Sequence, residues 1–143
     1  MAVAEAMVRK TRQALTLAKR FLGSDKRVLY IASEVNLIPL MDRIRKLLGG
    51  ADVAYEENPY NVFDSVKNLY RNRSRVRYDF IVLDSVGGIR ENYRAMFGTG
   101  RLADVAQVNQ LVTRILHALA LYAMHNKSIV FAITHMSRAI GRM

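Results

Sequence analysis

Short apolar runs, each separated from the next by a segment of helical spacing, are the feature that most constrains this chain. Arg27-Val-Leu-Tyr-Ile-Ala32, Phe80-Ile-Val-Leu-Asp84 and Ser128-Ile-Val-Phe-Ala-Ile133 are apolar without alternation and rich in β-branched residues, as strands covered on both faces are. Asp52 to Tyr55 reads as a weaker strand. Between and around them, Ala14, Leu15, Ala18, Phe21 and Leu22 predict a helix from about Glu5 to Leu22 that stops at Gly23. Leu37, Leu40, Met41, Ile44, Leu47 and Leu48 predict a second helix, with Pro39 in its first turn and Gly49-Gly50 at its end. Val62, Phe63, Val66, Leu69 and Tyr70 mark a third after Pro59, and Leu111 to Ala123 a long fourth. The polar, Gly-rich stretch from Gly87 to Arg101 reads as a loop. Strands alternating with helices require right-handed crossovers, so the expected fold is α/β, a three-layer parallel sheet of about four strands.

At 143 residues the chain suits one domain over residues 1–143. No apolar run approaches the roughly 20 residues of a membrane-spanning helix, so no membrane partner is expected. The first residues lack the pattern of a secretory signal and there is no cysteine, which fits a reducing, cytoplasmic setting. Twenty-two Lys and Arg against 12 Asp and Glu give a formal charge of +10. That excess favours nucleic acid or another phosphate-bearing partner, although a solvated basic surface accounts for it too.

In parallel sheets the chemistry gathers at the carboxyl ends of the strands. Those ends hold Ser33 and Glu34, Asp84 and Ser85, and Thr134 and His135. A carboxylate beside a buried strand needs a cation or good donors, which suits Asp84 to a magnesium-linked role and equally to capping the next turn. Glu34 closes its strand in the same way, as metal partner, general base or helix cap.

Four segments in this order resemble the core of RecA/RadA-type recombinases. They are Tyr30-Ile-Ala-Ser-Glu34, Tyr78-Asp-Phe-Ile-Val-Leu-Asp-Ser85, Tyr93 with Gly98-Thr-Gly-Arg-Leu-Ala-Asp-Val-Ala-Gln107, and Ala132-Ile-Thr-His135. The resemblance implies that Asp84, with Ser85, belongs to the Walker B strand that binds nucleotide-linked magnesium, and that Glu34 activates the attacking water. It implies that His135 stands where a nucleotide-sensing glutamine is usual, and that Arg94, Arg101, Tyr93 and Phe97 fall in a first DNA-binding loop. Lys10 and Thr11 match the end of the phosphate-binding loop, whose pattern is G-x-x-x-x-G-K-[ST]. Here that stretch is Ala4-Glu-Ala-Met-Val-Arg-Lys10-Thr11, with Ala4 and Arg9 in place of both glycines. The stretch also reads as helix, and the few residues before Ala4 leave no room for the strand that should precede it. These departures argue against ATP and Mg2+ being bound in the family manner.

Without the phosphate-loop strand and the strands that follow the sensor position, strand 128–133 becomes an exposed apolar edge, open to a second copy or to a partner recombinase. Helix 5–22 or the tail 136–143 covering that edge is the alternative. Arg71, Arg73, Arg75 and Arg77 form the densest basic cluster, suited to phosphates and equally to a solvated helix C-terminus. Tyr93 and Phe97 are the aromatics expected to stack on unpaired bases. The expected function is a recombination or repair accessory that binds single-stranded DNA, a partner recombinase or both, without hydrolysing ATP. An active DNA-dependent ATPase and a structural subunit docked by its edge strand are the alternatives.

Overall fold

The computed structural model describes residues 2–134, with side chains from residue 9 onward. Four strands, β1 (Val28–Ala32), β2 (Asp52–Tyr55), β3 (Phe80–Asp84) and β4 (Ile129–Ile133), form one sheet in the order β2-β1-β3-β4. Every neighbouring pair is parallel, with Ala32 opposite Asp84 and Asp84 opposite Ile133. The expected α/β fold with a four-strand parallel sheet is therefore what the chain adopts, and β2 and β4 are its edges.

Strand alternation sorts the core into two layers. Tyr30, Ala32, Phe80, Val82 and Ile133 face α1 (Ala2–Gly23) and α2 (Met41–Leu47). Ile31, Ile81 and Leu83 face α3 (Pro59–Arg71), α4 (Val86–Phe97) and α5 (Ala103–Asn126). Ala14 and Ala18 are completely buried, which lets α1 lie close on the sheet, while Phe21 stacks on Phe80 at 4.7 Å. The third helix starts at Pro59 behind the Asn58 cap, whose side chain accepts from the Tyr60 amide.

Two expected elements differ. The stretch 37–48 is split into a 3-10 helix, Val35–Leu40, and the shorter α2. Pro39 lies inside the 3-10 turn, where it closes off α-helical hydrogen bonding further back. The stretch Gly87 to Arg101 is not a loop up to Phe97, because Ser85 caps Gly88 and the buried Ile89, Asn92 and Tyr93 give it a helix's inner face. Met1 and residues 135–143, including His135, lie outside the described residues.

Candidate functional site

At the carboxyl ends of β1 and β3 the structure gathers a dense set of buried polar side chains. Ser33 and Ser85 are completely buried, Asp84 is 1% exposed and Glu34 8%. Parallel register explains the meeting, because pairing Ala32 with Asp84 sets Ser33-Glu34 beside Ser85. The Ser33 amide donates to the Asp84 carbonyl at 2.7 Å and the Ser33 hydroxyl to the Ser85 carbonyl at 3.1 Å. The Ser85 hydroxyl donates to Glu34 Oε1 at 2.6 Å while accepting from the Gly88 amide at 2.9 Å. Asn92, one turn along α4, donates to the Ser33 carbonyl at 2.7 Å.

Asp84 Oδ2 accepts two hydroxyl donors, Tyr30 at 2.6 Å and Thr11 at 2.8 Å. Burial, reinforced by the Asp84 charge, raises the Tyr30 phenol far above its ordinary range, so it stays a neutral donor. Thr11 arrives from α1, 73 residues away in sequence. Lys10, beside it, donates to the Thr134 carbonyl at the end of β4, 3.2 Å away. Thus Lys10, Thr11, Glu34, Asp84 and Ser85, read separately from the sequence, come together at one end of the sheet. Tyr30 and Asn92 complete the network. A tyrosine at a fully covered strand position was the available signal for Tyr30, since its hydroxyl must find a partner.

Gly88 is where this network is tightest. A Cβ there would stand 2.8 Å from the Ser33 carbonyl and 3.0 Å from Glu34 Oε1, so only glycine lets α4 start this close to β1.

The fit to a nucleotide can be tested on the backbone. A phosphate-binding loop works because its N–H groups are unspent and point at the ligand. Residues 4–11 are instead helical and continuous with the rest of α1, so the amides leading into Lys10 and Thr11 bond to carbonyls four residues back. The first free amides of α1 lie about two turns before Lys10, some 11 Å away along the axis. Asp84 Oδ2 is likewise occupied by protein hydroxyls. Among the described residues no three His, Asp or Glu side chains gather into a metal-binding group. The helical course of residues 4–11 does not fit a phosphate-binding loop of the kind the resemblance implies; the side chains form a hydrogen-bond network that ties α1, β1, β3 and α4 together.

The basic residues divide into two groups by what they touch. Arg73 donates to the Tyr70 carbonyl at 3.0 Å and stacks over the Tyr70 ring at 4.2 Å, and Arg77 donates to the Asn126 carbonyl at 2.7 Å. Both therefore satisfy carbonyls at helix ends. Arg71 and Arg75 are exposed, and among the described residues neither faces a carboxylate; Arg75 lines a cavity of about 530 Å³ between α3 and the sheet. At the other end of α3, Arg94 pairs loosely with Glu91 at 3.4 Å, and Arg101 is exposed with no carboxylate among the described residues. The 13 residues of α3 separate these two basic groups by about 20 Å.

Tyr93 and Phe97 part company. Tyr93 is 2% exposed, with its hydroxyl on Gln107 at 2.8 Å, and its ring lies against Tyr60 and Phe97. It is a core residue that a base cannot reach, which corrects the expectation of stacking there. Phe97 is 39% exposed and Leu102 90% exposed, flanking the turn between α4 and α5. That turn is held by Asp104, whose carboxylate accepts from the Thr99 amide and hydroxyl and the Gly100 amide.

No family model matches the chain, and no curated protein matches it either. No described helix is long and apolar enough to cross a membrane.

Proposed function

We propose that this chain is a RecA/RadA-like recombination accessory that holds single-stranded DNA by its phosphates and does not hydrolyse nucleotide. The observation that carries the reading is the placement of exposed arginines that face no carboxylate among the described residues, Arg71 and Arg75 at one end of α3 and Arg101 at the other. Phosphates supply the missing counter-charge, and the spacing along α3 suits an extended strand rather than a compact ligand. Phe97, in the same segment as Arg94 and Arg101, offers a base an exposed ring. The meeting of Thr11 with Asp84, of Lys10 with the end of β4, and of Glu34 with Ser85 supports the resemblance to recombinases. The helical course of residues 4–11 supports a member that does without ATP and Mg2+.

Strand β4 supports a second element of the reading, docking of a second copy or a partner recombinase along 128–133. It is paired on one side only among the described residues, and Ile129 is 53% exposed on it.

Titrating an oligo-dT strand into isotope-labelled chain and mapping amide shifts tests the DNA reading. Shifts are expected around Arg71 to Arg75 and from Phe97 to Leu102. Shifts confined to the opposite face, over α1 and α2, would overturn it.

A further inference from the structure

The side of β4 that is unpaired among the described residues is flanked by a charged helix face. Arg9, Arg12, Leu17 and Arg20 recur at helical spacing along α1 and, with Phe131 of β4, line an open groove of about 480 Å³. The three arginines form no ion pair among the described residues, and Arg9, Arg12 and Arg20 are all exposed. Phe131 lines the groove from β4, a strand paired on one side only among the described residues, and both Phe131 and its strand neighbour Ile129 are incompletely covered.

We infer that this groove takes an acidic extended segment of another protein, added as a strand beside β4. The inference rests on the docking element proposed above and names its chemistry. The helix α1 runs from the carboxyl ends of the strands, where Lys10 meets Thr134, to their amino ends, where Phe21 stacks on Phe80. From Arg9 to Arg20 it rises about 16 Å, which is about five residues of an extended strand. Alternate residues of an added strand face α1. A segment carrying Asp or Glu at its first and fifth positions, with an apolar residue at the third, sets carboxylates under the two ends of the arginine row. The middle side chain then rests on Leu17 and Phe131. Backbone bonds to β4 supply affinity and the acidic positions supply selection.

The same charges discriminate against a second copy. Continuing the sheet through a two-fold axis at β4 brings both copies of α1 onto one face, with Arg9, Arg12 and Arg20 of each facing those of the other. Like charges so placed repel. A nucleic acid could answer the arginines but not the strand edge or its apolar residues.

The test uses the full chain, isotope-labelled, and a blocked peptide of sequence Thr-Glu-Thr-Val-Thr-Glu-Thr, with a counterpart carrying Lys in place of both Glu. The Glu peptide is expected to shift and protect amides of Ile129 to Ile133, and the Lys peptide to bind at least tenfold more weakly. In the folded Arg12→Glu/Arg20→Glu variant the preference is expected to reverse. Equal binding of both peptides to the native chain would overturn the acidic selection while leaving docking intact. No binding of either would overturn docking as well. Oligo-dT shifting the β4 amides in competition with the Glu peptide would assign the groove to nucleic acid instead. A dimer through β4 in sedimentation at low salt would assign it to a second copy.

Discussion

Replacing Tyr30 with Phe removes one hydroxyl and leaves the ring, so it isolates the bond to Asp84. In the native chain that hydroxyl donates at 2.6 Å to a carboxylate that is 1% exposed, and Tyr30 itself is completely buried. Hydrogen bonds to charged groups contribute about 1.5–3 kcal/mol, and a buried acceptor that loses its donor cannot turn to water for another. The Tyr30→Phe variant is therefore expected to lose about 2 kcal/mol at pH 7, read from urea unfolding followed by circular dichroism. A second signature appears in alkali. The Tyr30 pKa is raised in the folded state from the ordinary 10.0, so the folded chain retains a proton that the unfolded chain releases. Stability linked to Tyr30 is full below pH 10 and declines above it, by up to about 1.4 kcal/mol per pH unit. The variant lacks this contribution, so its stability is expected to fall less steeply than the native chain's between pH 10 and 11.5. A variant as stable as the native chain at pH 7, with the same alkaline slope, would refute the account of the Asp84 network.

Gly88→Ala is expected to cost about 1–3 kcal/mol in the same assay, since the new Cβ meets the backbone carbonyl of Ser33. Ser85→Ala removes both the cap on Gly88 and the donor to Glu34, and a loss of 1 kcal/mol or more is expected on thermal unfolding. Arg71→Gln with Arg75→Gln should leave stability unchanged and flatten the plot of log affinity against log salt by about 1.4, two contacts at roughly 0.7 each. Arg73→Gln and Arg77→Gln are expected to act through stability instead, because those side chains bond helix-end carbonyls. The Thr99 hydroxyl and backbone hold the Asp104 carboxyl below its usual range, so the turn it organises is stabilised above that range and released as pH falls. Amide exchange at Thr99 and Gly100, corrected for intrinsic rates, should quicken towards pH 3; unchanged protection there would contradict this role.

Strands were the most legible part of the sequence because β1, β3 and β4 are short apolar runs, a pattern that burial on both faces demands. The helix α4 was not legible, since Gly87, Gly88, Gly98 and Gly100 read as loop punctuation. Gly88 is there for a different reason, the close approach to Ser33 and Glu34, which only the packed structure reveals. Asp84 and Glu34 stood out as carboxylates at strand ends. Their partners could not, because Tyr30 and Thr11 reach Asp84 across 54 and 73 residues of sequence. In the basic run, sequence gave four equivalent arginines; tertiary contacts divide them into two that bond helix-end carbonyls and two that face solvent.

The most direct test of the proposed function is the affinity of the chain for a labelled single-stranded oligonucleotide across a salt series, with and without magnesium-ATP. The reading predicts measurable binding at low salt, a log–log slope of about −2 to −3 from three or four phosphate contacts, and no change with nucleotide. Absence of binding at low salt, or binding that requires ATP, would contradict it.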